Sequence, residues 1–406
     1  MPRTWPAPSA GASWTKKKSD GRMMNDERRA TDVVFASVGD VRRNSRSLRH
    51  LRALSGRGLR VEAITFGPPA ADAPSPVPDV RLRVIERPGG GGPRFFWKVH
   101  RRFRRAARRV EARAYHASGL YVLPALHGAA QKHSGRLVYD ARELYAHLPA
   151  TAGRPWVHFG WKMLERYFIR RADAVFTVSP GIADWLARAH DVERPRLLLN
   201  APASQETVCP DDALRRWTGL SDDTVLFLHQ GNMQRDRGCV ALVEAFCRVE
   251  DAALVFLGGG PLKPDLAQVV EERGVGDRIR FLDPVPPDEL LSVTASADVG
   301  ITMLEDTCLN HRFALPNKLF QYVAAGLPIL ASNMREIERV VRRRELGCVV
   351  DPADIDALAA TVRWMAEQPE ARRRWARNTA EALEAFRGQA TRPLTEAYET
   401  LLSKRS

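Results

Sequence analysis

Cysteine is scarce in this 406-residue chain, with only Cys209, Cys239, Cys247, Cys308 and Cys348. The number is odd, no pair has CxxC spacing and all five lie after residue 208. A disulfide scaffold or a zinc module is therefore not expected, and a reducing cytosol fits better. Long apolar runs are lacking too. The best stretch, Leu120 to Ala130, carries Pro124 and His127 and falls short of the ~20 residues that span a bilayer. Lys16-Lys17-Lys18 is followed by polar residues instead of an apolar core, so no signal peptide is expected. No GxxxxGK[ST] occurs, which argues against a P-loop NTPase. Leu257-Gly258-Gly259-Gly260-Pro261 follows a strand-like run but is not GxGxxG, so its glycines are read as a sharp turn or a close ligand approach. With no helix-turn-helix, zinc-finger or RNP-like pattern, a nucleic-acid partner is not expected.

Positive charge is abundant. Lys plus Arg number 62 against 48 Asp plus Glu, a net of +14. That excess suggests an anionic partner: a phosphate ligand, a membrane surface or nucleic acid. The length predicts two or three domains. Residues 1–30 are rich in Pro, Gly, Ser and charge without periodicity, and are expected to form a disordered basic tail. From Thr31, strand-like and helix-like stretches alternate. Asp32–Ala36 reads as a buried strand; Leu48, Leu51 and Leu54 recur at helical spacing; residues 59–64 form the next strand. This βαβ unit implies parallel strands. Further strands are expected at 80–85, 114–117, 136–139, 174–178 and 196–199. A Pro/Ser/Asp-rich stretch, 201–223, reads as a linker, and the alternation restarts at 224. The fold class is expected to be α/β, with two doubly wound Rossmann-like domains, 31–200 and 224–385, facing a central cleft where ligands bind beyond the strand carboxyl ends.

The strongest local signal runs from Leu309 to Pro328: a loop, a helix and a Gly-Leu-Pro turn into a strand. Pro316 suits the first helical turn. Free N–H groups there can receive a phosphate. Lys318 places a cation where the helix dipole disfavours it, which suggests an anionic ligand between them, although a merely solvated lysine fits the local pattern equally well. In the second signal, Phe227 to Gly238, a strand ends, the backbone turns at Gly231, and Arg235 and Arg237 precede a helix. A guanidinium there could hold two phosphate oxygens, but taken alone the segment also reads as a surface loop of a basic protein. Asp354-Ile355-Asp356 imitates a DxD metal pattern but precedes an apolar helix, so helix capping is the better reading. Residues 94–113 carry nine Lys/Arg and one Glu, with Phe96, Val99, Phe103, Ala107 and Val110 at helical spacing. They form an expected amphipathic basic helix that either packs on the sheet with a solvated face or docks to an anionic membrane.

Several segments in order resemble the large retaining family four, or group 1, glycosyltransferases of GT-B fold, over about residues 31–402. Val138–Tyr145 is similar to the family's "VYDAHELY", Ala172–Ser179 to "ADAVITVS", and Leu199–Pro202 sits where the first domain usually ends. Gly231–Gly238 resembles the "G…(K/R)G" loop, Ala253–Pro261 resembles "LVIVGDGP", and Pro316–Pro328 resembles "PNKLFEYMAAGLP", the most specific of these. The resemblance implies an acceptor domain first and a nucleotide-sugar domain second, with residues 386–406 crossing back to the first as a helix. It implies that Arg237 and Lys318 bind the diphosphate and stabilise it as it leaves, without a metal ion or other cofactor. Backbone groups of Leu315, Pro316 and Asn317 would assist, with Gly231, Asn232 and Gly259 in the neighbouring loops. Gln321 would meet the ribose, and Pro284 and Val285 would lie beside the base. Gly39 and Asp40 would face donor phosphates or acceptor, His116 would be a substrate-binding residue, and Arg142 would be a further ligand for a phosphate or an acceptor carboxylate.

The chain also departs from that pattern. The usual pair of glutamates eight positions apart falls on Phe313 and Gln321. Tyr115–Gly119 keeps only the first His of "YHAHD", and Arg142 replaces the His of "DAHEL". The expectation is a metal-independent, retaining glycosyltransferase acting on a glycan or lipid-linked acceptor, in the cytoplasm at the inner face of the membrane, with 94–113 as the membrane contact. The alternative is a degenerate GT-B scaffold that binds a nucleotide sugar or a partner without turnover.

Overall fold

The computed structural model describes residues 31–67, 75–202, 212–286 and 288–403. The expected tail at 1–30 lies outside them, as does 203–211 of the expected linker. The first half of the chain builds seven strands: β1 (Thr31–Ser37), β2 (Val61–Phe66), β3 (Val80–Ile85), β4 (Ala112–Ser118), β5 (Arg136–Ala141), β6 (Ala174–Thr177) and β7 (Arg196–Leu197). They are parallel and ordered β3-β2-β1-β4-β5-β6-β7. The second half builds six: β8 (Val225–Gln230), β9 (Ala252–Leu257), β10 (Ile279–Leu282), β11 (Val299–Thr302), β12 (Ile329–Ser332) and β13 (Gly347–Val350). Their order is β10-β9-β8-β11-β12-β13, again all parallel. Runs such as the all-buried Ala252–Leu257 are apolar on both faces because helices cover both sides of each sheet.

The helices of the first half are α1 (Ser45–Ser55), α2 (Gly92–Ala107), α3 (Leu123–His133), α4 (Pro155–Ile169) and α5 (Pro180–His190). Those that follow are α6 (Ala213–Thr218), α7 (Cys239–Phe246), α8 (Lys263–Glu272), α9 (Leu290–Ala295), α10 (Leu309–Phe313), α11 (Asn317–Ala324), α12 (Arg335–Arg343), α13 (Ile355–Glu367), α14 (Pro369–Arg387) and α15 (Arg392–Ser403). Four apolar clusters fill the layers, two against each sheet. Leu394, Ala397 and Tyr398 of α15 belong to the cluster of β1, β2 and α1, so the end of the chain packs on the first sheet.

Some local expectations change. The basic stretch 94–113 is not one helix: α2 ends at Ala107, and Arg113 lies in β4 beside β1. Phe103 and Val99 still face the core, as their spacing required. The stretch expected as linker contains α6, whose Ala213 and Leu214 are buried. Pro316 is the extended residue before α11 and not its first turn. Asp354 caps α13, its carboxylate accepting from the Ala357 N–H at 2.9 Å, as the capping reading requires.

Candidate functional site

The strand order reverses between β1 and β4 in one sheet and between β8 and β11 in the other, and ligands of such sheets gather at those points. A cavity of about 440 Å³ opens there between the two sheets. Val38 follows β1, Ser118 ends β4, Arg142 and Glu143 follow β5, and Val178 follows β6. From the other side come Arg237 in the loop after β8, Leu304 after β11, Asn310 and His311 of α10, and Leu315, Pro316 and Asn317 at the start of α11. A second cavity of about 770 Å³ shares Asn200 and Asn317 with the first. Val285 and Gln321 line it, opposite Arg43, Arg49 and Arg52 of the first half.

The phosphate-binding chemistry read from the sequence converges here. Pro316 holds an extended conformation (φ −70°, ψ 149°) and α11 begins without a side-chain cap, so its first N–H groups are free for a ligand. Lys318, in that first turn, brings Nζ to 3.3 Å from Nε2 of buried His229. Burial pushes the Lys318 ammonium down to about 7, Cys239 opposing the shift and Arg237 adding to it. Burial, with the charges of Lys318 and Arg237, holds His229 well below the usual imidazole range, so it is neutral and its Nε2 can accept from Lys318. Among the described residues, Arg142, Arg237 and Lys318 form no ion pair with a carboxylate. They are basic groups without an anionic partner among the described residues.

The remaining predicted residues play other parts. Gly231 adopts φ +108°, and its N–H donates to the Leu257 carbonyl at 2.9 Å. A Cβ on Gly258 would meet the Gly231 carbonyl oxygen at 2.1 Å, so glycine there lets the two loops touch. The Met233 N–H donates to Gly259 at 2.7 Å. Asn232 bonds Gln234 within its loop, and Pro284 is exposed. None of Gly231, Asn232, Gly259 and Pro284 lines either cavity. Gln321 accepts from Gln230 Nε2 at 2.7 Å, which fixes the amide that replaces a carboxylate.

Three expectations are corrected. Gly39 and Asp40 do not line the cleft. The Gly39 carbonyl accepts from Thr65 Oγ1, and Asp40 is paired with Arg42 at 2.7 Å. His116 is fully buried inside the first sheet, 3.1 Å from the Tyr398 hydroxyl, and burial pushes it down to about 4. Its ligand atom lies within 4.8 Å of those of His50 and Asp140, a potential metal trio. Both Asp140 oxygens already accept from Arg46, at 2.6 and 2.9 Å, so a guanidinium holds the place of a cation there. Sequence reading passed over Arg46, which lines the cleft and also binds Asn200 Oδ1 at 2.7 Å. It passed over Glu143 as well. No local pattern marks Arg46, whereas Glu143 lies within Val138–Tyr145, the segment similar to "VYDAHELY"; the strand ends bring both to the cleft.

The two sheets of doubly wound α/β type around a shared cleft define a GT-B fold. Solved structures agree. Sucrose-phosphate synthase from Thermosynechococcus elongatus superposes with a TM-score of 0.78 at 18% identity, covering 92% of this chain and 100% of that one. HepE from Anabaena, in complex with UDP, superposes with 0.68 at 13% identity, covering 91% and 100%.

Residues 224–368 match the family described as "Glycosyl transferases group 1", and residues 44–203 match "Glycosyl transferase 4-like domain". The chain belongs to the group 1 glycosyltransferases. Among curated relatives, D-inositol 3-phosphate glycosyltransferase of Corynebacterium glutamicum (strain R) is 28% identical over 246 residues, 57% of each chain. A GDP-mannose-dependent alpha-(1-6)-phosphatidylinositol monomannoside mannosyltransferase of Mycobacterium tuberculosis is 31% identical over 230 residues, 50% of this chain and 56% of that one. The match thus spans little more than half the length of either relative.

Proposed function

We propose that this chain moves a sugar from a nucleotide-sugar donor to a glycan or lipid-linked acceptor, with retention at the anomeric carbon and without a metal ion. The observation that carries the reading is the pairing of Arg142 and Arg237 in the cavity wall with the open start of α11, whose first turn carries Lys318 within reach of the Arg237 charge; none of the three has a carboxylate ion pair among the described residues. Charge grows on the diphosphate as the glycosidic bond breaks, and fixed cations in a walled cleft stabilise that state more than the ground state. A lysine poised near neutrality gains its proton as the anion arrives. The cavity of Gln321 and Val285 adjoins this point and suits the nucleoside. Solved structures of HepE with UDP and the GDP-mannose dependence in a relative's name support a nucleoside diphosphate.

The acceptor enters from the first half, and the chain works at the cytoplasmic face of a membrane. Trp156, Phe159, Met163 and Tyr167 follow one another along α4 at helical spacing and are exposed, Trp156 to 86%. Exposed Trp97 of basic α2 lies near Arg101, and Phe96 of α2 meets Trp161 of α4 at 4.9 Å. An aromatic stripe beside a basic helix fits an anionic lipid surface. No helix among the described residues is long and apolar enough to cross a membrane. The test is turnover of a panel of UDP-, GDP-, ADP- and dTDP-hexoses by the full chain. Sugar release or transfer from one of them, lost in Lys318→Ala, is expected. Nucleotide binding without any turnover would leave the scaffold reading in its place.

A further inference from the structure

Arg142, Arg237 and Lys318 answer the charge of one diphosphate. The neighbouring cavity of Val285 and Gln321 carries more positive charge than a nucleoside explains. Base and ribose are neutral, yet Arg43, Arg49 and Arg52 stand on the wall opposite. None of the three makes an ion pair with a carboxylate among the described residues. Arg42 differs, being spent on Asp40 at 2.7 Å. Asp288, the sole carboxylate among the described residues lining this cavity, is exposed and makes no ion pair with them.

Arg49 is the centre of this group. Arg46, Arg49 and Arg52 recur at every third position of α1, which sets like charges side by side at a cost to the helix. Arg46 is compensated, since both oxygens of Asp140 accept from it. Arg49 is not. It is half-buried, its Nε is shut off from solvent without a hydrogen-bond partner, and its Nη2 reaches the Asn200 amide oxygen only at 3.5 Å. Arg46 already donates to that oxygen at 2.7 Å. Burial, with the charges of Arg46 and Arg142, pushes the Arg49 guanidinium down to about 9, Asp140 opposing. It therefore stays charged at neutral pH, and a half-buried charge without a counter-charge is costly unless a ligand supplies one. Arg43 and Arg52 are exposed at the rim, where they draw an anion inward. Asn200 also lines the central cavity, so an anion on Arg49 lies beside the donor site, on the half from which the acceptor enters.

We propose that Arg49, with Arg43 and Arg52 at the rim, binds a phosphate ester carried by the acceptor, so that this transferase selects phosphorylated acceptors. A guanidinium presents forked N–H groups to two phosphate oxygens at once. The ester belongs to a soluble sugar phosphate or to a phospholipid headgroup, and the chemistry recognised is the same. The donor does not supply it, because its diphosphate goes to the start of α11 and its nucleoside is uncharged. This rests on the transferase reading above.

The full chain, saturated with UDP or GDP, is titrated by calorimetry with inorganic phosphate, glucose 6-phosphate and glucose, and sedimented with phosphatidylglycerol vesicles. The phosphates are expected to bind beside the nucleotide, and glucose not. Arg49→Gln should weaken that binding about 10- to 100-fold, the loss of a charge-assisted hydrogen bond, while nucleotide affinity stays within about threefold. Arg49→Lys should keep part of it. Arg49-dependent binding of glucose 6-phosphate assigns a soluble ester; Arg49-dependent sedimentation with the vesicles alone assigns a lipid headgroup. Phosphates and vesicles that bind Arg49→Gln as tightly as wild type, or bind neither chain, overturn the proposal. So does a nucleotide affinity that falls in step with phosphate affinity, which places Arg49 on the donor. A wild-type chain that binds no nucleotide and turns over no donor overturns the transferase reading and this proposal together; nucleotide binding without Arg49-dependent binding of an ester overturns this proposal alone.

Discussion

Lys318 Nζ stands 3.3 Å from Nε2 of His229, a buried imidazole that can only accept from it. Burial brings the lysine to about 7 against an ordinary 10.5, so between those values the unfolded chain holds more protons than the folded one. Apo stability contributed by this group therefore rises with pH across that window and is least below it. A bound diphosphate reverses the shift. At pH 8, UDP or GDP binding is expected to take up close to one proton, read as different calorimetric enthalpies in Tris and HEPES. Equal enthalpies in the two buffers would contradict the assignment.

Lys318→Ala and Arg237→Ala are each expected to cut turnover by roughly 10²–10³, the usual effect of removing one fixed donor aimed at developing charge. Circular dichroism and the melting temperature should hold in both. Lys318→Ala removes an enclosed cation that has no carboxylate partner among the described residues, so its melting temperature should not fall.

Arg46 and Asp140 form a buried two-pronged pair, at 2.6 and 2.9 Å. Burial works against the Asp140 charge, but the Arg46 charge and hydrogen bonds hold its carboxyl well below the usual range. Its contribution to stability is therefore present above about 3.8, the unfolded value, and is lost as pH falls below it. Arg46→Met leaves a carboxylate buried without its partner and should cost about 3–5 kcal/mol in urea unfolding. Asp140→Asn should flatten the acid limb of stability against pH.

Phe313 is a packing residue between the halves, and a Cβ on Gly181 would meet its ring at 2.6 Å. Phe313→Ala should destabilise by about 3–5 kcal/mol. Phe313→Glu should not raise turnover despite restoring the family's residue type, because this position faces apolar side chains. A faster Phe313→Glu enzyme would refute that placement.

Trp156→Ser with Phe159→Ser should reduce sedimentation with phosphatidylglycerol vesicles while leaving turnover of a water-soluble donor unchanged. Both residues are exposed and neither lines the central cavity. Undiminished sedimentation would remove α4 from the membrane contact.

Much of this protein was legible in the one-dimensional pattern. Alternating apolar runs and helical periodicity announced two parallel sheets, because a strand covered on both faces must be apolar throughout, as Ala252–Leu257 is. Lys318 and Arg237 stood out because short-range geometry explains them: a cation at a helix start and a guanidinium after a strand. His116, Gly39 and Asp40 misled for the opposite reason. Whether a side chain turns to the cleft or into the sheet depends on partners far away in sequence, such as Tyr398 and Thr65.

The amino-acid order alone determined the layered architecture and the basic groups at the second sheet's strand ends, since both arise from local periodicity and backbone chemistry. Only the tertiary structure decided which carboxylate reaches the cleft. Glu143 and Phe313 lie 170 positions apart, and α10 docking on the first half buries one while leaving the other facing the cations. No local rule contains that choice, because it is made by packing between elements that the chain brings together only when it folds.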